Sequence, residues 1–387
     1  MVYFDAASTT KIHPEVLEAM MPYLTDRYGN PSSSYEFGRL VKRNIESVRA
    51  MIAGTINASP DEIFFTSGGT ESDNWAIKGV FDCAAIGDRY ERPHIISQPT
   101  EHKAVLKTLE YLKTYRDADI DYVPVNSDGQ ISLDYLEHKI QRDTCLISIM
   151  AVNNEIGTIQ NISRIGEICR NYDIPFHSDA VQAYGHIPID VFHMGIGLLS
   201  ASGHKFGAPC GIGFLYCAEK FQSNLEAFIH GGQQESGHRA GTENAAAIIG
   251  MGKAAEIAMR DMNDNLKKLH ELYQYFLGRL NAEFPKLKYN GIYSPKHVDS
   301  NLNINMINYG ITGEQMLAFL EEFDICVSSG SACNSESAEP SYVLRAIGCT
   351  DDEANSSIRF SLSPENTKED IDFVIKKMAQ LFEMFVE

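Results

Sequence analysis

Apolar runs alternate with amphipathic stretches along the first two thirds of the chain, the pattern of a mostly parallel sheet covered by helices. The runs EIFF, HIIS, DYVPV, CLISIMAV, IPFHSDA, LLSAS and GIGFLYC predict strands. Between them, Phe37, Leu40, Val41, Ile45, Val48 and Ile52 recur at helical spacing, which predicts a helix with that stripe packed in the core. The texture changes after Thr242. A helical pattern over about 243–280 leads into 301-NLNINMI-307, 313-GEQMLAFLEEF-323 and 356-SSIRFSL-362, with a last helix expected near 366–386. We therefore expect an α/β chain with a large domain at 14–255 and a smaller α+β domain at 256–387, joined by the segment 1–13. No repeat, low-complexity tract or proline-rich linker separates the two, so they are expected to pack together.

Composition narrows the function. A chain of 387 residues, 44% hydrophobic, is long enough to bury a large core. Its formal charge of -19 and lack of basic runs argue against nucleic acid or an anionic membrane as the main partner, since both need clustered Lys and Arg. The start MVYFDAASTT has no apolar signal-like run, and no apolar run approaches a membrane span, so a cytoplasmic protein is expected. The cysteines are scattered without a C-x-x-C pair, and most are expected to be buried small hydrophobes.

Open α/β sheets bind ligands at the carboxyl ends of their strands, so the residues at the end of each apolar run are the candidates for chemistry. The stretch 66-TSGGTESDNWAIKGV-80 reads as a strand end, a glycine pair and a helix start, and suits either an anion such as phosphate or a tight turn capped by Ser67 or Thr70. It lacks both the Walker G-K-[ST] and G-x-G-x-x-G spacings. The next candidate, 177-HSDAVQ-182, places Asp179 at a strand end with Gln182 a turn later; a metal pair of His177 and Asp179 is an alternative. In 200-SASGHKFG-207, Ser202, His204 and Lys205 stand beside glycines; Lys205 is either a cleft lysine able to form a Schiff base or a snorkelling surface lysine. The stretch 151-AVNNEIGTIQ-160 supplies amides and an acid, or simply a turn. A phosphate cradle, an acid and a lysine in this order, all at strand ends, are the parts that a pyridoxal phosphate site requires.

The chain resembles the cysteine desulfurases among class V aminotransferase-like enzymes. The motifs that carry the likeness are DAASTT, YGNPSS, FFTSGGTESDN, TEHKAVL, VNNEIG, HSDAVQ, SGHKFG, RAGTEN, SSGSAC with EPSYVLRAIG, and SSIRFSL. The resemblance implies a fold type I transferase with a mostly parallel seven-stranded sheet, working as a homodimer with pyridoxal 5'-phosphate. It implies Lys205 as the lysine joined to the cofactor aldehyde, Asp179 on the ring nitrogen, His102 over the ring and Gln182 near the phenolic oxygen. Gly69, Thr70, Ser202 and His204 are implied as phosphate ligands, with Thr242 reaching the partner subunit's phosphate. Asn154 is implied beside cofactor and substrate, and Arg359 on the substrate carboxylate. The same likeness makes Cys333 the nucleophile that takes sulfur from L-cysteine, releases L-alanine, and passes the sulfur to an acceptor such as an iron-sulfur scaffold or a tRNA-thiolation enzyme.

Cys333 stands alone in 328-SSGSACNSESAEPS-341, with no second cysteine or histidine at metal-ligand spacing, so no metal site is expected there. The small polar residues around it bury little apolar surface, which suits a thiol that travels between two sites. Glu336 and Glu339 disfavour its thiolate, so activation has to come from the cofactor site, where His102 is the candidate proton acceptor. Tyr35, Cys210, Gln233 and Ser236 depart from the family pattern. The alternatives are a selenocysteine lyase, a cysteine-sulfinate desulfinase or an aminotransferase of the same fold, or a non-catalytic sulfur-transfer scaffold.

Overall fold

The computed structural model describes residues 1–86, 92–291, 296–329 and 339–385. Its strands, in chain order, are β1 (Val2–Tyr3), β2 (Ile63–Thr66), β3 (His94–Ser97), β4 (Asp119–Tyr122), β5 (Thr144–Ser148), β6 (Phe176–Asp179), β7 (Leu198–Ser202), β8 (Gly213–Cys217), β9 (Lys288–Asn290), β10 (Asn301–Asn305), β11 (Ile325–Cys326), β12 (Ser328–Ser329) and β13 (Ser357–Ser361). Seven form one sheet in the order β2-β8-β7-β6-β5-β3-β4. Its pairs are parallel except where β8 runs antiparallel to β2 and β7, so the sheet is mixed but mostly parallel. Each expected strand run falls on one of these strands. The DYVPV run forms its strand earlier, at 119–122, because Pro124 has no N–H to continue the ladder.

Continuous apolar strands are explained by burial on both faces. Phe64, Leu146, Leu198 and Leu215 point into one apolar cluster, with Trp75, Val105 and Leu109 from the helices Gly69–Ala85 and Lys103–Tyr115. Their neighbours Phe65, Ile147, Leu199 and Phe214 point into the opposite cluster, with Val41, Ile45 and Met251. A third cluster gathers Val2, Phe4, Leu302, Ile304, Ile358 and Phe360 with the helix Lys368–Phe385. There β10 pairs antiparallel with β9 and β13, and β13 with β12. One helix, Ala245–Glu283, spans two of these clusters: its Ala246–Ile257 part belongs to the large-sheet core, and Leu269–Leu280 to the third. None of the described helices is long and apolar enough to cross a membrane.

Two expectations from the pattern require correction. In the helix Glu36–Thr55, Val41, Ile45 and Ile52 are buried, but Phe37 and Leu40 are exposed. They sit in its first turns, beyond the edge of the core, where Phe37 packs edge-on against Tyr28. Of the seven described cysteines, Cys145, Cys169 and Cys217 are buried, whereas Cys83, Cys326 and Cys349 are half-buried and Cys210 is exposed. A small apolar side chain is buried only where its element packs, and Cys210 stands in a turn.

Candidate active site

The carboxyl ends of the parallel strands meet β12 and β13 around a cavity of about 380 Å³. That volume lies in the usual range for a small-molecule site. Its wall includes Gly69, Thr70, His102, Asn154, Asp179, Gln182, Ser202, His204, Lys205 and Arg359, so residues far apart in the sequence converge there. Thr242 does not line it and is exposed. Cys333 lies outside the described residues, as do Gly330, Ser331, Ala332, Asn334, Ser335, Glu336 and Ser337. Cys210 is not part of the wall.

Beyond β2 the chain turns at Gly68, whose φ of 152° favours glycine, and the helix Gly69–Ala85 begins with no side chain capping it. The Ser67 or Thr70 cap is thereby overturned: Ser67 instead donates its backbone N–H to Glu71 Oε2 at 2.8 Å. An uncapped helix start beside the buried Ser202 suits an anion, through backbone N–H groups and the helix dipole. A Cβ on Gly69 would stand 2.5 Å from Val181 Cγ2, so this cradle accepts glycine and little more.

Asp179 ends β6, buried, with Oδ1 accepting from Val181 N at 2.9 Å. Burial raises its carboxyl pKa, while His102, Val181 N–H and Lys205 pull it down. The metal reading of His177 fails on hydrogen bonding. Its Nδ1 lies 2.9 Å from Ser148 Oγ and its Nε2 3.0 Å from Ser200 Oγ, so both ring nitrogens are committed inside the sheet. Burial pushes it down to about 3, which keeps the ring neutral.

His102 caps the helix Lys103–Tyr115, its Nδ1 accepting from Ala104 N at 3.2 Å. A neutral ring held this way carries its proton on Nε2. Accepting a thiol proton therefore requires it to give up the Ala104 bond. Burial, then Lys205 and Lys103, lower its pKa, against the pull of Asp179. His204 is likewise lowered, to about 4, by burial and Lys205, and meets Thr9 Oγ1 at 3.1 Å.

The first residues of the chain close the site, a role the DAASTT motif did not reveal. Lys205 Nζ donates to Ala7 O at 2.8 Å and Ser8 O at 2.7 Å, and Gln182 Nε2 donates to Ala7 O at 2.8 Å. From β13, Arg359 Nη2 donates to Asp5 Oδ1 at 2.7 Å and Ser8 Oγ at 2.8 Å, and Nη1 to Asn154 O at 2.8 Å. Side chains of β10 steady the same loop: Asn301 donates to Asn154 O and Asn303 to Glu155 O, each at 3.1 Å.

Asp73 and Glu155 also line the cavity; Glu155 is the acid of the 151–160 stretch, whereas Asp73 had no signal in the sequence. Burial raises Glu155 to about 7, against the Ser341 hydroxyl at 2.5 Å and the Arg359 charge. Several buried polar atoms here have no hydrogen-bond partner among the described residues: Asn154 Oδ1, Arg359 Nε and both Asp73 oxygens. Buried polar atoms left open around a cavity fit a polar ligand.

An aminotransferase class-V family model matches residues 2–374. Over 382 residues the chain is 44% identical to "Cysteine desulfurase IscS" of Clostridium botulinum, covering 98% of this chain and 94% of that one. A solved NifS-like protein superposes with a TM-score of 0.90 at 34% identity, covering 99% of both chains. A solved structure titled "SspA in complex with cysteine" matches with a TM-score of 0.83 at 36% identity, covering 95% of this chain and all of that one. A family match over almost the whole length, joined to a lysine, an acid and a helix start around one cavity, places the chain in the class-V aminotransferase family, among the cysteine desulfurases.

Proposed function

We propose that this protein takes sulfur from L-cysteine with pyridoxal 5'-phosphate, leaves L-alanine, and carries the sulfur as a Cys333 persulfide to an acceptor protein. The supporting observation is the convergence of Lys205, Asp179 and Arg359 with the uncapped helix start at Gly69 and Thr70. Bound there, the cofactor supplies an aldehyde for amines and a protonated ring that draws electrons from the substrate's Cα. Lys205 would hold the cofactor through the aldehyde, and its amine is the group placed to move the substrate's Cα proton. Asp179 supplies the carboxylate for the ring nitrogen, and Gln182 a donor for the phenolic oxygen. Gly69, Thr70, Ser202 and His204 hold the phosphate. Arg359 exchanges Asp5 for the substrate carboxylate, for which a guanidinium fork is suited.

One described flank of 330–338 lines the cavity and the other bonds to a residue of its wall, which supports Cys333 as the nucleophile. On one side Ser328 and Ser329 line it; on the other Ser341 bonds Glu155, and Tyr342 Oη donates to Glu101 O at 2.8 Å. A homodimer is supported by Leu17, Met21, Leu24, Tyr28, Phe37 and Leu40, which are exposed along the segment from the helix Pro14–Thr25 to the start of Glu36–Thr55. These six large apolar side chains exposed over residues 17–40, with Tyr28 and Phe37 in ring contact, suit a covering surface. Thr242, exposed and away from its own cavity, is then available to the partner's phosphate. The division into a domain at 14–255 and one at 256–387 is supported by the separate clusters flanking the middle of the helix Ala245–Glu283. Lys205→Ala tests the reading: the purified variant loses the visible absorption of a lysine-bound aldehyde and all alanine release from L-cysteine. Alanine release at more than a tenth of the wild-type rate contradicts the assignment.

A further inference from the structure

Asp73 lines this site without an assigned role. It stands in the second turn of the helix Gly69–Ala85, is 1% exposed, lines the cavity, and among the described residues neither oxygen has a partner at hydrogen-bond geometry, the Ser200 hydroxyl being a nearby group only. His177 Nε2 is 3.6 Å away, beyond hydrogen-bond reach, and is already bonded to Ser200. One oxygen of Asp73, one of Asp179 and a His102 nitrogen lie within 4.8 Å of one another. Facing Asp73 are Asp179 from β6, Glu101 and His102 from the loop after β3, and the Ser200 hydroxyl from β7.

Two carboxyls this close in a dry wall do not both ionise. Asp179 has the Val181 N–H at 2.9 Å and the Lys205 charge to support a negative charge; Asp73 has neither. We propose that Asp73 and Asp179 form a buried carboxyl dyad that shares one proton, carried by Asp73, and that Asp73 is thereby a positioning residue fixing a single negative charge on Asp179. Burial, then repulsion from Asp179, push the Asp73 carboxyl well above its ordinary range, with Ser200 as a partial offset. The consequence for catalysis rests on the pyridoxal phosphate reading, because a single charge on Asp179 is what a protonated ring nitrogen pairs with.

The test begins with the full-length, cofactor-free protein. A raised native carboxyl keeps a proton that the unfolded chain releases above about pH 4, so this group's stability is present at low pH and lost as pH rises. Asp73→Asn lacks that loss. Its melting midpoint relative to wild type therefore rises with pH above about 5, by up to roughly 2 °C for each pH unit over which Asp73 keeps its proton. A constant or shrinking difference overturns the proposal; a packing effect adds only a constant, and Asp73→Ser gives a second neutral variant. In an Asp179→Asn background the slope falls, because burial alone then holds the proton; an unchanged slope means that the two carboxyls titrate independently and refutes the dyad. In the loaded enzyme, Asp73→Leu lowers kcat about tenfold or more with KM little changed, and Asn restores most of it; an unaltered kcat in Asp73→Leu removes the positioning role. A wild type that shows the slope but binds no pyridoxal phosphate sinks the cofactor reading and leaves the dyad standing.

Discussion

Removing the Glu235 carboxylate should destabilise this fold far more than removing a surface acid. Arg49 grips it through Nη1 to Oε2 at 2.7 Å and Nη2 to Oε1 at 2.9 Å, and Phe65 N donates to Oε2 at 2.9 Å. The side chains are 11% and 2% exposed, and the guanidinium lies 4.6 Å over the Phe65 ring. Glu235→Ala leaves a buried cation and a backbone N–H of β2 without that acceptor. Breaking a buried pair from one side costs about 3–5 kcal/mol. Glu46, half exposed, still reaches Arg49 at 3.0 Å, which places the expectation near the lower end, about 3 kcal/mol. For a chain of this length that is a fall in melting midpoint of roughly 4 °C, measurable by calorimetry and by urea unfolding. Arg49→Met combined with Glu235→Ala should recover part of the loss, because no unpaired charge remains. A cost below about 1 kcal/mol, the value of an exposed pair, would refute the account of this contact.

Gly69→Ala drives its methyl to 2.5 Å from Val181 Cγ2, at a cost of about 1–3 kcal/mol, and weakens cofactor retention; Val181→Ala in the same chain restores both, as read by equilibrium dialysis and melting. Glu155, raised to about 7 by burial, contributes stability that is present in acid and lost as pH rises through 7. Glu155→Gln should therefore melt above wild type at pH 8, with the advantage shrinking as pH falls from 7 towards about 4.5, and a difference independent of pH contradicts the shift.

The strands were legible because a sheet buried on both faces writes continuous apolar runs, and Phe64 beside Phe65 feeds two separate clusters. Helical spacing identified the stripe in Glu36–Thr55, but periodicity does not distinguish a side chain facing the core from one left at its edge, as Phe37 and Leu40 are. The wall residues after each strand could be read from their place at strand ends, because the parallel order brings those ends together. Asp73 could not. In TESDN it reads as one more polar residue at a helix start, and only the packing of that helix on the sheet buries it. Arg359 with Asp5, and Lys205 with Ala7 and Ser8, join positions far apart in the chain, and no local pattern announces such contacts.

The central claim is that Cys333 takes the sulfur, and mass spectrometry of the purified protein after addition of L-cysteine, with alanine quantified, tests it most directly. The account predicts one extra sulfur on the peptide containing Cys333, alanine formed in proportion once an acceptor thiol is present, and loss of both in Cys333→Ala. Alanine formed at the same rate in Cys333→Ala, with no sulfur on that peptide in the wild type, would contradict it.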